Sequence, residues 1–277
     1  MKRLLVVLLV VGILTAWAPT PRAMGLLPTP AGAYPTVSVS GFWDLPAKVD
    51  LSPSMPPVGD QGGLGSCAAW AAAYYVRSYQ EGVQNGYVPR NPNQIMSPAF
   101  VYNQRRNDSS GMYFDDAVGI LKDHGAASLA TMPYDKRDDK TQPTMRARYE
   151  ASRLKSEGGA ALFIGNRADS PKIIKQKLAS GIPVIVGVFV YQNFFWAGKE
   201  PIGVPESKTL SYGYHAITIV GYDEVTRLFR CVNSWGTNWG DEGYAWLTYD
   251  FVREIVWEAW VIYDTDTVAP IAPRTLG

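Results

Sequence analysis

The chain has 277 residues, and its 26 lysine and arginine residues nearly balance 25 aspartate and glutamate residues, giving a formal net charge of +1 at pH 7. Because the basic residues are scattered and form no sustained positive surface, the composition argues against nucleic acid as a partner. No second apolar run of membrane-spanning length follows the N-terminus, so no membrane association is expected once a leader is removed.

The N-terminus has the pattern of a secretory signal peptide. Two basic residues precede an apolar stretch from Leu4 to about Ala18, which suits a signal-peptide core but is short for a membrane span. Small-residue cleavage patterns place the cut between Ala23 and Ala33, so residues 1–23 are the minimal leader. We therefore expect a secreted or cell-envelope protein. An uncleaved N-terminal anchor is the alternative, and it leaves the rest of the chain facing outward as well.

Cys67 follows a glycine-rich bend and precedes an alanine-rich run, which predicts a helix from the thiol to about Gln80. A helix N-terminus carries a partial positive charge and unpaired N–H groups, and both lower the pKa of a thiol. The same N–H groups, together with the side-chain amide of Gln61, can hold the oxygen anion that forms when a thiolate attacks a carbonyl. One stretch thus predicts a nucleophile and an oxyanion site.

The later elements are predicted from apolar periodicity and from flanking glycine and proline. Further helices are predicted at residues 98–102, 115–124 and 171–179. The polar stretch 135–159 has little apolar periodicity and is predicted to cross between lobes. Strands are predicted at residues 182–191, 216–222, 228–233, 243–249 and 257–263.

Only two histidines can supply a base for the thiol. His124 precedes a glycine and is predicted to interact with a helix C-terminus, whereas His215 stands near the start of an apolar, β-branched strand. Asn233 follows, and its amide oxygen can accept the second N–H of an imidazolium and fix the ring, while Trp235 can shield that bond from water. Taken singly, each residue has a purely structural interpretation. Together with Cys67 they predict a Cys–His–Asn set.

These residues lie in three blocks that resemble the signature of the papain-like cysteine peptidases. The blocks are Gln61…Gly65-Ser66-Cys67, Gly213-Tyr214-His215-Ala216 and Asn233-Ser234-Trp235-Gly236…Trp239-Gly240…Gly243-Tyr244. They occur in the family order, and the resemblance extends from about Val49 to about Tyr263. The histidine and asparagine follow the cysteine by 148 and 166 residues. That is somewhat more than the about 130–150 residues of the family pattern, so the loops are longer.

Two departures from the family pattern bear on the site. Leu64 stands where plant and lysosomal members have a disulfide-bonded cysteine, and Ala68 replaces the usual tryptophan after the nucleophile. The resemblance is therefore to a prokaryotic type held by packing. Cys231 is the only other cysteine. An exported protein would by default pair its two cysteines, but we favour a reactive Cys67 and a buried, free Cys231.

The resemblance implies an α+β, two-lobed papain-like fold, with a helical lobe, an antiparallel β-barrel-like lobe and an active site in the cleft between them. The peptidase domain is expected at residues 49–263, with the helical lobe at about 65–150 and the β lobe at about 165–263. Residues 24–48 form a short N-terminal segment, and residues 264–277 form a loose tail. Neither a metal nor a cofactor is expected, and the protein is expected to be a monomer.

The resemblance also implies a secreted cysteine endopeptidase that acts on polypeptides through an acyl-enzyme. Cys67 and His215 would form a thiolate–imidazolium pair, Asn233 would orient the ring, and Gln61 would complete the oxyanion site. Trp235 would cover the contact between the ring and the asparagine. The alternatives are a catalytically silent papain-like binding protein and a cell-wall amidase or acyltransferase with the same chemistry.

Substrate contacts are predicted at small residues. Gly111 would let an extended peptide backbone approach, or is an ordinary turn glycine. Gly187, Gly213 and Ala216 would border a specificity pocket that accepts a bulky apolar side chain. Trp239 would wall the leaving-group side, or pack within the lobe.

Control of the enzyme is expected to differ from that of family members with a long inhibitory prodomain. Only a short segment separates the predicted leader from the domain, and no helical prodomain fits into it. We expect the part from Tyr34 to Asp44, with Phe42 and Trp43, either to pack on the surface or to block part of the cleft.

Overall fold

A computed structural model of the protein describes residues 22–36, 44–106 and 109–264. Most of the predicted leader and nearly all of the predicted tail lie outside the described residues. Within the described ranges, no helix is both long and apolar enough to cross a bilayer.

The first half of the domain is mainly helical, and its central helix begins at the candidate nucleophile. This helix consists of α1 (Cys67–Ala69), a π-helical stretch (Trp70–Arg77) and α2 (Ser78–Asn85), and it ends at Gly86 in a left-handed conformation. It is five residues longer than predicted, and its alanine-rich first half is entirely buried. The other helices of this half are α3 (Pro98–Tyr102), α4 (Phe114–Asp123) and α5 (Met145–Ala151).

The second half is built on an antiparallel sheet. Its strands are β1 (Lys48–Asp50), β2 (Gly158–Ile164), β3 (Val184–Val190), β4 (Gly213–Asp223), β5 (Leu228–Val232), β6 (Tyr244–Thr248) and β7 (Val256–Tyr263). The order is β2-β7-β3-β4-β5-β6, with β1 added to β4. Three helices accompany it: α6 (Ser170–Ala179), α7 (Gln192–Phe195) and α8 (Tyr249–Ile255). The α+β prediction is confirmed, but the described strands form an open sheet and not a closed barrel.

The polar stretch 135–159 contains more structure than its sequence indicates. Helix α5 begins after Thr144, whose hydroxyl caps the N–H of Ala147 at 3.2 Å. Only Ala147 and Ala151 of this helix are buried, so its apolar face is too narrow to give a periodic signal.

The central helix joins the two halves through polar contacts beneath the cleft. Tyr75 lies fully buried in its π-helical stretch, donates to the Asn233 carbonyl at 2.7 Å and accepts from the Gly59 N–H at 3.2 Å. Further along, the amide of Gln80 donates to the Ile262 carbonyl on β7 at 2.8 Å. These contacts fix the helix that carries Cys67 against Asn233 and against the sheet whose strand β4 carries His215.

Removing the Tyr75 hydroxyl is expected to destabilise the protein. In Tyr75→Phe the ring still fills its place, but the buried Asn233 carbonyl and the partly buried Gly59 N–H lose this partner, which costs about 1–3 kcal/mol. Urea denaturation checks this as a lower free energy of unfolding. Tyr149→Phe removes the same hydroxyl from an exposed side chain and should change little. A Tyr75→Phe protein as stable as the unsubstituted one would contradict the assigned role.

Candidate active site

Cys67 is the first residue of the central helix and is fully buried. Backbone N–H groups of Ala216, Gly25, Ala68 and Leu26 face its sulfur and favour the thiolate. Burial acts in the opposite direction and is the larger effect, so the pKa of the thiol is raised. Two of these N–H groups belong to the N-terminal segment, which therefore reaches the sulfur.

His215 lies on β4 and is also fully buried. Its Nε2 is 2.8 Å from Oδ1 of Asn233, which follows β5, and its ring stacks on Trp235 with centroids 4.4 Å apart. The second ring nitrogen, Nδ1, has no hydrogen-bond partner among the described residues. Burial lowers the pKa of His215 to about 4; the Asn233 bond raises it, and the charge of Arg22 lowers it further. The structure thus brings together the predicted His–Asn–Trp arrangement.

Gln61 is held by the Asn-Ser-Trp block. Its Oε1 accepts a bond of 2.6 Å from the Ser234 hydroxyl, and its backbone N–H donates to the Ser234 carbonyl at 2.9 Å. Its Nε2 donates to the carbonyls of Leu64 at 2.8 Å and of Ala23 at 3.0 Å. The amide therefore has a fixed orientation. Ser234 was not predicted as a site residue, although this serine directly follows Asn233 in the recognised block.

Residues 22–29 lie in the cleft, and we call them the N-terminal plug. Met112 donates its N–H to the Gly25 carbonyl at 2.8 Å and accepts from the Leu27 N–H at 3.1 Å. On the opposite side, the Leu26 N–H donates to the Tyr214 carbonyl at 3.3 Å. The plug is thus an extended chain bonded to the helical half and to β4, and Leu26 is only 3% exposed.

Thr29, the last residue of the plug, and the residues that follow it attach the segment to the rest of the fold. Thr29 bonds to Glu258 through its hydroxyl at 2.6 Å and its N–H at 3.3 Å, and its carbonyl accepts from Trp257 Nε1 at 3.0 Å. Tyr34 lies edge-on to Trp260 with centroids 5.3 Å apart, and Thr36 forms a bridge with Ala161. The contacts of Tyr34 and Thr36 place the end of the segment on the sheet, outside the cleft.

The N-terminal segment was only partly anticipated. Tyr34 to Thr36 pack on the surface, as one of the two predicted roles has it, whereas Phe42 and Trp43 lie outside the described residues. The cleft is filled by residues 22–29, which precede Tyr34. The leader cut was predicted in this part of the chain. An extended segment held by backbone hydrogen bonds has no hydrophobic period to reveal it.

Three of the predicted small residues adjoin the plug. A Cβ on Gly111 would come within 2.6 Å of the Gly25 carbonyl oxygen, so only glycine permits this approach. A Cβ on Gly187 would lie 2.8 Å from Leu26 Cδ2, and one on Gly213 would lie 3.1 Å from the Met24 side chain. Together with the backbone of Ala216 at the sulfur, these residues lie against the plug, and their contact with a substrate stays a prediction.

Trp239 is placed differently. It is 1% exposed, its Nε1 donates to the Phe194 carbonyl at 3.0 Å, and its ring packs edge-on to Trp235. This tryptophan belongs to the core of the β half, so the prediction that it walls the cleft is wrong and the packing alternative holds. Trp235, by contrast, lies at the cleft with Arg22 over its ring, 5.2 Å from the centroid.

Both cysteines are free and buried. Cys231 is fully buried on β5, and burial raises its pKa to about 12. It is therefore an unreactive reference thiol within the same molecule.

Comparison with known proteins agrees with this geometry. Residues 45–263 match the model of the papain family cysteine proteases. The chain is 29% identical over 246 residues to an uncharacterized peptidase C1-like protein of Acanthamoeba polyphaga mimivirus, covering 83% of this chain and 77% of that protein. It is 28% identical to cathepsin K of Gallus gallus, covering 73% of this chain and 58% of the cathepsin.

Among solved structures, xylellain, a cysteine protease from Xylella fastidiosa, superposes with a TM-score of 0.72 at 27% identity, covering 87% of this chain and 96% of that one. The fold, the family match and these relatives agree with one another. The chain belongs to the papain family and is a papain-like cysteine peptidase.

Proposed function

We propose that this protein is an exported cysteine endopeptidase that is made in a latent form, with the N-terminal plug in its own substrate cleft. The observation that carries the proposal is the position of the plug, whose backbone lies against Cys67 and Gln61 and whose Arg22 lies over Trp235, the residue that stacks on His215. A chain that lies on both the nucleophile and the oxyanion donor occupies the place that a substrate peptide must take.

In the open enzyme, Cys67 gives its proton to His215, and the resulting thiolate attacks a peptide carbonyl carbon. The developing oxyanion accepts bonds from the Cys67 N–H and from Gln61 Nε2. The imidazolium then donates its proton to the leaving amine, and an acyl-enzyme remains. His215 next takes a proton from a water molecule, whose oxygen attacks the acyl carbon. The C–S bond then breaks, the acyl group leaves as a carboxylic acid, and the imidazolium returns its proton to the sulfur.

Asn233 and Trp235 keep the imidazole in position throughout. The Asn233 oxygen accepts from Nε2–H, so Nδ1 is left to exchange the proton with the sulfur and the leaving group. Trp235 stacks on the ring and keeps water from that bond. The ring therefore keeps one orientation in both of its protonation states.

The plug suppresses this chemistry by excluding water as well as substrate. Burial raises the pKa of the Cys67 thiol and lowers that of His215, so the latent pair is neutral. When the plug leaves, water returns, and the two charges of the ion pair stabilise each other.

Hydrolysis of a denatured protein substrate tests the endopeptidase. The full chain with Leu26→Asp, which loosens the plug, is expected to yield internal fragments that mass spectrometry identifies. Cys67→Ala in the same background should yield none, whereas Cys231→Ala should yield the same fragments. A chain whose Cys67 reacts with alkylators but cuts no peptide would be an amidase or acyltransferase. A chain whose Cys67 does not react would be a silent binding protein.

A further inference from the structure

Glu258 is a fully buried carboxylate at the side of the cleft, on β7. It accepts hydrogen bonds from the Thr29 hydroxyl and N–H, from the Tyr214 hydroxyl at 3.0 Å and from Trp260 Nε1 at 2.8 Å. All of these donors are neutral. Burying a carboxylate without a cation is costly, and burial raises the pKa of Glu258.

Half of these hydrogen bonds depend on the plug. Thr29 supplies two of the four donors, whereas Tyr214 and Trp260 belong to the sheet. When the plug leaves the cleft, Glu258 therefore loses two partners and faces the space that the plug filled. That space must then be filled by water or by a substrate group that donates hydrogen bonds.

The same space receives the side chain of Leu26. A Cβ on Gly187 would lie 2.8 Å from Leu26 Cδ2 and 2.0 Å from the Tyr214 hydroxyl. The tip of the leucine and this hydroxyl therefore both lie next to the glycine. Gly187 is also the register partner of Glu258 on the adjacent strand. Leu26, Tyr214 and Glu258 thus adjoin one pocket, in which the Tyr214 hydroxyl near the leucine tip is bonded to Glu258.

We propose that Glu258 makes the open enzyme select peptides with an arginine, or a lysine, at the residue that replaces Leu26. This inference rests on the proposed peptidase function. A guanidinium is longer than leucine, supplies N–H donors in place of those of Thr29, and brings the opposite charge. An apolar side chain would leave the carboxylate without the two hydrogen bonds that Thr29 gives it. We therefore expect the pocket to disfavour the bulky apolar side chain that its small residues alone would suggest.

A set of peptides tests the selection in the full chain with Leu26→Asp. In these peptides one position at a time carries either arginine or citrulline, which has nearly the same shape without the charge. At one position, kcat/KM is expected to be about 10- to 100-fold higher for arginine, the range that a charge-assisted hydrogen bond supports. Because both peptides meet the same fraction of open molecules, their ratio does not depend on how far the plug is displaced.

Glu258→Gln in the same background should bring this ratio to about one while citrulline peptides are still cut, which shows that the variant folds. Glu254→Gln removes an exposed carboxylate four residues earlier in the chain and should leave the ratio unchanged. An arginine preference that persists in Glu258→Gln, or equal cutting of both peptides by the Leu26→Asp chain with Glu258 intact, would overturn the inference. Failure to cut any peptide would instead overturn the proposed function.

A second readout needs no hydrolysis. In the otherwise unsubstituted full chain, Leu26→Arg should pair with Glu258, hold the plug more tightly and slow alkylation of Cys67 at least tenfold relative to Leu26→Gln. The difference should vanish when Glu258→Gln is added. Equal alkylation rates for the Leu26→Arg and Leu26→Gln chains would contradict the pairing.

Discussion

Leu26→Asp is expected to increase the alkylation rate of Cys67 by about 10²-fold at pH 6. Leu26 is 3% exposed, and its tip lies close to the Tyr214 hydroxyl that bonds to Glu258. An aspartate there would be a second, unpaired carboxylate in a buried pocket, which costs several kcal/mol. Release of the plug avoids this cost without unfolding the domain. Iodoacetamide labelling, quantified by mass spectrometry, measures the rate.

Two controls separate release of the plug from general loosening of the fold. Pro28→Asp puts the same charge at an exposed position of the same segment and should leave the rate nearly unchanged. Cys231 reports in every sample on the integrity of the core, because it reacts only if the β half opens. A Leu26→Asp chain that reacts as slowly as the unsubstituted one would show that the plug does not limit access to the thiol.

The pH dependence of the same reaction distinguishes the two states of the thiol. In the latent chain the pKa of Cys67 is raised and that of His215 is lowered to about 4. The thiolate population is therefore small at pH 6, and the labelling rate should increase as the pH rises towards 9. In the Leu26→Asp chain the ion pair supplies thiolate already at pH 6, so the rate should change much less over this range.

Gln61→Ala is expected to lower kcat for peptide hydrolysis by about 10²–10³-fold, as loss of an oxyanion donor does elsewhere. Because the latent plug also uses this amide, the comparison belongs in the Leu26→Asp background. Alkylation by iodoacetamide forms no oxyanion, so its rate should be nearly unchanged in the same protein. Loss of hydrolysis with retained alkylation assigns the amide to the transition state.

Ser234→Ala extends this test to the residue that orients the amide. It removes the 2.6 Å bond to Gln61 Oε1 but leaves Nε2 in place, so we expect a smaller loss of kcat, about tenfold. Unchanged turnover in Gln61→Ala would contradict the oxyanion assignment, whatever the effect of Ser234→Ala.

The site residues that could be predicted from the sequence are those whose neighbours in the chain indicate the local structure. Cys67, His215 and Asn233 each lie in a short block in which glycine, alanine or tryptophan indicates the local backbone, so their convergence could be expected. Glu258 gives no such signal, because the donors that define its environment include Thr29, which is 229 residues away. Trp239 lies in one of the recognised blocks, yet its burial depends on the distant Phe194.

Residues 30–33 form an exposed turn between the plug and the residues that pack on the sheet. The Ala33 N–H donates to the Pro30 carbonyl at 3.1 Å and closes this turn. An inhibitor joined to its target through such a turn acts at a local concentration in the millimolar range, whatever the dilution of the protein. A single cut in this turn, such as a leader cut at Ala33, would turn the plug into a free peptide that dilutes away. Loss of latency would then be irreversible, whereas a cut after Ala23 would leave Met24 to Thr29 tethered in the cleft.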